Sequence, residues 1–336
     1  MSHPYVRPDV QGFLTFLNNL PGPRTWQLSA PEARAAYAMM KDVADPPAPE
    51  LAVKRDLTVP GPAGDIPLRL YDARERREPG PVLVFFHGGG FVIGDLETHD
   101  SFCAEAARML DIPVVAVDYR LAPEHAFPAA PDDCEAAARW VATNPAELGG
   151  RVSSLVLAGD SAGGNLTIVT AQALRDRPAK APVIVQWPIY PVVDDVQKYQ
   201  SFTDFAEGYL LDQPSMKYFS DAYRATEGDV RNTPILHKQA GMPSTLLITA
   251  GLDPLRDQGR AYAGELIRAG VPTVYREAVG NIHGFITLRK AIPSSAGDVA
   301  ACLRILKDMI NEAEAEAERV MVEAAHGADT VAAAAE

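Results

Sequence analysis

Residues 154–177 read SLVLAGDSAGGNLTIVTAQALRDR, a short apolar run joined to a helical segment by a turn of small residues. Gly159, Ser161 and Gly163 form the pattern G-x-S-x-G in the setting that it requires, with a strand before it and a helix after it. A sharp turn of this kind lifts the serine hydroxyl clear of the backbone and aims it at the positive end of the helix, provided that its neighbours are small. The stretch therefore predicts that Ser161 is a nucleophile.

Apolar runs of the same kind recur along the chain and alternate with helical stretches. They occupy residues 82–86, 113–119, 154–159, 182–188, 245–251 and 272–278. Two more runs, at 51–60 and 66–73, flank a turn-rich stretch and predict a hairpin. This alternation favours an α/β fold with a mostly parallel sheet of about eight strands and helices on both faces. Residues 4–41 have helical patterns, and residues from about 195 to 235 form an insertion between two strands.

Composition excludes several classes of partner. The 336 residues carry a net charge of -13, which argues against nucleic acid or an anionic membrane surface. Residues 311–336 contain seven acids and one base, typical of a solvated helix end and a frayed tail. Cys103, Cys134 and Cys302 are widely spaced, so we expect buried free thiols and no metal centre. No signal peptide or apolar run of about 18 residues is present, and a cytoplasmic protein is the expectation.

A nucleophilic serine needs a histidine base, which follows it in the chain in folds of this kind. Three histidines follow Ser161, and ligands bind beyond the carboxyl ends of parallel strands. His326 falls in the acidic tail, and His237 precedes a strand, at its wrong end. His283 follows the run 272–278, at its carboxyl end. We therefore predict that His283 is the general base.

The acid that orients this histidine should follow the preceding strand. Asp253 is the first carboxylate after the run 245–251, and Asp257 is the alternative, one helical turn further along. Asp257 is at a position typical of the first turn of a helix that starts near Pro254. The prediction is that Asp253 completes the triad.

The stretch HGGG at 87–90 follows another predicted strand. Acyl transfer creates an oxyanion that backbone N–H groups bind well, and only glycine lets the backbone come this close to a substrate. We predict that Gly88, Gly89 and Ala162 are the donors of the oxyanion hole and that Gly90 supports the loop. His87 precedes the serine in the chain, so its expected role is to hydrogen-bond the loop rather than to act as the base.

Two further charged groups lie close to these motifs in the sequence. Asp160, beside the nucleophile, is expected to bond to nearby loops such as HGGG, and a role in substrate choice is the alternative. Arg120 and Glu124 are expected to form a buried structural ion pair beside the site.

Five motifs together resemble the hormone-sensitive lipase-like esterases, the bacterial family IV of lipolytic enzymes. They are HGGGF at 87–91, DYRLAPEHAFPAA at 118–130, GDSAGGN at 159–165, DPLRD at 253–257 and HGF at 283–285. The resemblance implies an α/β-hydrolase core over residues 51–310, with the second strand antiparallel and the triad named above. It also implies a helical cap built from residues 1–50 and the insertion at about 195–235, an acidic helical or disordered tail at 311–336, and frequent homodimerisation. The aspartate in GDSAGG is typical of one branch of the family.

The function implied is cofactor-free hydrolysis of small-molecule esters with short to medium acyl chains. An amide, lactone or thioester would pass through the same tetrahedral oxyanion, so these substrates stay open as alternatives. A non-catalytic ligand-binding module is a rival function, since the plant gibberellin receptors resemble this family. Those receptors lack the catalytic histidine, whereas His283 is present here, which weighs against this alternative. A scaffold that acts through the acidic tail has only the charge in its favour.

Aromatic and apolar residues of the motifs and the cap are candidates for the walls of an acyl pocket. They are Phe91, Tyr190, Tyr209 and Phe285, with Phe13, Phe16, Trp26 and Leu210 as further cap residues.

Overall fold

The computed structural model describes residues 4–150 and 152–333, except for the side chains of residues 318 and 320–333. Its strands are β1 (Val53–Gly61), β2 (Gly64–Asp72), β3 (Gly80–Phe86), β4 (Val114–Val117), β5 (Val152–Asp160), β6 (Val183–Ile189), β7 (Ser244–Leu252) and β8 (Thr273–Ile282). They form one sheet in the order β1-β2-β4-β3-β5-β6-β7-β8. β2 is antiparallel to both of its neighbours, and the other pairs are parallel. The predicted α/β class and the mostly parallel sheet of eight strands are confirmed.

Helices connect the parallel strands and flank the sheet. They are α1 (Pro8–Asn19), α2 (Ala30–Ala44), α3 (Asp100–Leu110), α4 (Ala129–Val141), α5 (Ala162–Asp176), α6 (Gln200–Asp204), α7 (Gln213–Tyr223), α8 (Arg256–Arg268) and α9 (Ser294–Ala333). Among the described residues, no helix combines the length and the apolar character needed to cross a membrane.

Side chains of successive strand residues point to opposite faces of the sheet, which gives two cores. Val84 and Leu157 pack with residues of α4, α5 and α8 on one face. Phe85 and Val156 pack with residues of α3 and α9 on the other. The three cysteines lie in these helical layers as buried free thiols, as predicted.

The N-terminal segment packs at the carboxyl ends of β7 and β8. Val10 and Phe13 of α1 are buried in a third cluster with Leu252 and Ile282, the last residues of these two strands. Phe205 of the insertion belongs to the same cluster. The two segments outside the strand–helix alternation therefore meet above the edge of the sheet where ligands bind in such folds.

Candidate active site

Ser161 lies at the turn between β5 and α5 with φ 56° and ψ -116°. A positive φ is unusual for a residue with a side chain and costs on the order of 1–3 kcal/mol, so the surroundings must enforce it. The turn is tightly packed, since a Cβ on Gly163 would lie 2.7 Å from the carbonyl oxygen of His87. A Cβ on Gly159 would lie 2.5 Å from that of Phe86. The glycines of G-x-S-x-G are therefore required by the close approach of β3.

His283 and Asp253 complete a chain of hydrogen bonds that starts at the serine. His283 Nε2 lies 2.9 Å from Ser161 Oγ, and His283 Nδ1 lies 2.7 Å from Asp253 Oδ2. β8 runs four residues past the predicted end, to Ile282, so His283 directly follows the strand. Asp253 is fully buried after β7, and its Oδ1 accepts a hydrogen bond from Leu255 N. The carboxylate thus fixes the proton on Nδ1 and leaves Nε2 to accept the serine proton.

The alternative acid and bases lie elsewhere. Asp257 is in the first turn of α8, where it accepts hydrogen bonds from Arg256 and from Ser201 N. His237 Nε2 lies 3.1 Å from Asp176 Oδ2 and is remote from this chain of hydrogen bonds. The side chain of His326 lies outside the described residues.

The glycine loop corrects one of the predicted oxyanion donors. Gly88 N donates to Asp160 Oδ1 at 2.8 Å, so this N–H is occupied and is not available to a substrate. Within the described residues, the N–H groups of Gly89 and Gly90 donate to no protein group. Ala162 N opens α5, where the helix itself supplies no acceptor. The available donors are Gly89, Gly90 and Ala162, so the set is shifted by one glycine from the prediction.

His87 contacts the glycine loop and not the serine. Its Nδ1 lies 2.8 Å from Gly88 O, and its ring stacks on Tyr119 with centroids 4.3 Å apart. Burial, reinforced by the nearby His99 ring, lowers the pKa of His87 to about 4. A neutral imidazole donates from Nδ1 to Gly88 O, which is the loop contact expected from the sequence.

Asp160 is buried close to the glycine loop and to Tyr190, whose ring packs against His283. Besides Gly88 N, it accepts a hydrogen bond from Tyr190 OH at 3.3 Å. The Tyr190 ring lies 4.6 Å from the His283 ring and 5.2 Å from that of Phe285. Tyr190 and Phe285, both predicted to line the pocket, are each only 1% exposed, and Tyr190 packs between the rings of Phe285 and His283.

The remaining pocket candidates divide into two groups. Phe91 stacks on Tyr223 of α7 at 3.8 Å, and Tyr209 packs edge-on against Phe205. Phe16 and Trp26 are exposed. The contact between Phe91 and Tyr223 ties the glycine loop to the insertion.

Two residues of the insertion approach the site: Leu210, which the sequence offered as a pocket candidate, and Phe219, which it did not indicate. A Cβ on Gly90 would lie 2.6 Å from the ring of Phe219, and one on Gly284 would lie 3.8 Å from Leu210 Cδ2. Phe219 therefore packs against the glycine loop at Gly90. Its position in α7, next to other aromatic residues, gave no signal that distinguished it.

The predicted Arg120–Glu124 ion pair is wrong. Arg120 donates to both oxygens of Asp133, at 2.8 and 2.7 Å. Glu124 instead pairs with Arg34 of α2 at 2.6 Å. The reason is that α4 places Asp133 beside Arg120, and α2 places Arg34 beside Glu124.

Serine, histidine and aspartate at the carboxyl ends of three parallel strands, with free backbone amides beside the serine, are the arrangement of α/β hydrolases. Residues 83–287 match a protein family described as alpha/beta hydrolase fold. The chain belongs to this family and, within it, to the hormone-sensitive lipase-like esterases.

Relatives and solved structures agree with this assignment. The chain is 36% identical over 318 residues to carboxylesterase NlhH of Mycobacterium tuberculosis, covering 91% of this chain and 98% of the relative. It is 40% identical over 255 residues to esterase LipI of the same organism, covering 74% and 79%. The structure of ester-hydrolase EH1AB1 from the metagenome of Lake Arreo is similar with a TM-score of 0.85 and 36% identity, over 90% of this chain and 98% of that one.

Proposed function

We propose that the chain is a serine carboxylesterase that cleaves esters of short to medium acyl chains through an acyl-enzyme. Its class, carboxylic ester hydrolase, rests on relatives named esterases and carboxylesterases that are 36–40% identical. The observation that carries the mechanism is the continuous hydrogen-bond chain from Ser161 through His283 to Asp253.

Acylation begins when Ser161 Oγ attacks the ester carbonyl and its proton moves to His283 Nε2. Asp253 holds the ring and stabilises the imidazolium that forms. The carbonyl oxygen becomes an oxyanion, and we assign its stabilisation to the N–H groups of Gly89, Gly90 and Ala162. Collapse of this intermediate breaks the bond to the alcohol, which leaves with the proton from His283.

Deacylation repeats these steps with water as the nucleophile. His283 takes a proton from the water as it attacks the acyl-serine, and the same donors bind the second oxyanion. The proton returns to Ser161 Oγ as the acid departs, so the enzyme is restored without any cofactor.

The acyl-chain range follows from the residues above the site. We assign residues 1–50 and the insertion at about 195–235 to a cap over the core of residues 51–310. Phe219 packs against Gly90 and Leu210 lies near Gly284, so apolar side chains of the insertion confine the space beside the serine. Such confinement favours short and medium acyl chains over long ones. The tail from residue 311 has no part in this assignment.

The experiment is hydrolysis of p-nitrophenyl esters from acetate to palmitate by the wild type and by Ser161→Ala. We expect the substitution to lower kcat by roughly 10⁴-fold or more, because the nucleophile is lost. Ser153→Ala, at the opposite end of β5 and exposed, is the matched control and should keep full activity.

Two results would overturn the proposal. A wild type inert on every ester, but active on an amide, lactone or thioester, would reassign the substrate. Equal rates for Ser161→Ala and the wild type would show that Ser161 is not the nucleophile.

A cytoplasmic location and a homodimer remain predictions, to be measured by cell fractionation and by light scattering.

A further inference from the structure

A second buried histidine lies behind the glycine loop. His99 directly precedes α3 and is 2% exposed. Its Nε2 lies 3.1 Å from Asp160 Oδ1, the same oxygen that accepts the hydrogen bond from Gly88 N. Its Nδ1 lies 3.0 Å from Thr98 Oγ1. His99 therefore bridges the N-terminus of α3 and the carboxylate beside the nucleophile.

The protonation of this bridge follows from its partners. A carboxylate accepts hydrogen bonds and cannot donate them, so a lone pair on Nε2 would face negative charge at 3.1 Å. Nε2 must therefore carry a proton. The rings of Phe85 and His87 lie 5.8 and 5.7 Å from the His99 ring and help to exclude water, which strengthens the contact with Asp160.

Asp160 is in turn the residue that fixes the glycine loop. Burial alone raises the pKa of Asp160, but the adjacent His99 ring, with a smaller contribution from His283, outweighs burial and lowers this pKa. The ionised carboxylate holds Gly88 N. Because Gly88 is held, the backbone of the next two residues, Gly89 and Gly90, is constrained as well.

We propose that His99 is a positioning residue for the oxyanion hole, which it preorganises by holding Asp160 against Gly88. This inference rests on the proposed esterase function and deepens it. His99 does not touch the substrate. It acts through Asp160, and its removal should weaken stabilisation of the oxyanion while leaving ground-state binding intact.

The test compares His99→Asn with His99→Gln. The glutamine amide can reach the position of Nε2 and donate to Asp160, whereas the shorter asparagine amide can replace only Nδ1. We expect His99→Asn to lower kcat on p-nitrophenyl butyrate by about 10- to 100-fold, somewhat less than loss of a donor itself, with KM within about threefold. His99→Gln should stay within about fivefold of the wild type. A trifluoromethyl ketone, which forms an oxyanion adduct, should bind more weakly to His99→Asn by the same factor as kcat falls.

Controls separate positioning from folding. Titration with a fluorophosphonate counts competent serines, so that kcat refers only to folded enzyme. His125→Asn makes the same change at an exposed histidine and should leave kcat unchanged. If His99→Asn does not fold, Asp160→Ala takes its place, because alanine removes the acceptor of Gly88 N, with the same expected loss in kcat at constant KM.

The inference is overturned if His99→Asn keeps kcat within twofold, if both His99 variants fall equally, or if the loss is in KM. An unchanged kcat in Asp160→Ala also overturns it. Failure of the esterase proposal would look different, because either the wild type would be inert on every ester or Ser161→Ala would remain active, whatever the His99 variants do.

Discussion

Asp45 and Arg289 form a buried ion pair that joins the end of α2 to the loop after His283. Arg289 Nε and Nη2 donate to Asp45 at 2.8 and 2.6 Å, and Arg289 N donates to Asp45 Oδ1 at 3.2 Å. The two side chains are only 5% and 4% exposed. Asp45→Asn keeps the acceptor for the backbone N–H but leaves the guanidinium buried without a counter-charge.

The expected loss can be converted into a melting temperature. Removing one partner of a buried pair costs about 3–5 kcal/mol. With an unfolding entropy of about 2.1 cal/mol/K per residue, 336 residues give about 0.7 kcal/mol/K. Asp45→Asn should therefore melt about 4–7 °C below the wild type when both are followed by calorimetry at one scan rate.

Two variants check the cause of this loss. Asp45→Asn combined with Arg289→Met removes both charges and should recover most of the melting temperature. Asp221→Asn breaks the exposed i,i+4 pair with Lys217, whose side chains are 63% and 76% exposed, and should shift melting by less than about 1 °C. A loss below about 1.5 °C for Asp45→Asn, or a double variant less stable than the single one, would refute the reasoning.

Three further substitutions probe the turn at Ser161, the glycine loop and the acyl pocket. Gly163→Ala should abolish activity or soluble yield, since its Cβ meets backbone oxygens of β3 and the residue after it, whereas Gly297→Ala, in open space on α9, should do neither. His87→Asn should reduce acid sensitivity. The folded pKa of about 4 lies below the unfolded value of about 6.5, so stability falls as pH falls between them, by about 2 kcal/mol at pH 5. The variant should therefore lose about 3 °C less between pH 8 and pH 5, and equal losses would contradict this account. Phe219→Ala should move the preferred p-nitrophenyl ester to a longer acyl chain, and an unchanged chain-length profile would count against Phe219 as the wall.

The residues of the triad could be predicted because chain order and strand ends limit the choice. Ser161 is marked by small residues between an apolar run and a helix, and His283 follows an apolar run at its carboxyl end. That these residues lie close together could also be predicted, because the carboxyl ends of parallel strands share one edge of the sheet. The fold class followed from the same alternation.

Partner choice among polar groups could not be predicted in this way. Gly88 N is occupied by a carboxylate 72 positions away, and Glu124 is taken by Arg34, 90 positions away. Several arginines and carboxylates are chemically equivalent candidates in the sequence, and tertiary packing alone decides between them. His99 carries no motif of its own, so only its distance from Asp160 identifies it.

The ion pairs of the N-terminal segment have a consequence for the order in which the protein is made. Arg7 binds Asp298 and Asp45 binds Arg289, so these contacts span 291 and 244 positions of the chain. The apolar side of α1 can be buried against Ile282 only after residue 282 has been synthesised. Until then the nascent protein exposes this apolar surface, which makes it more prone to aggregation.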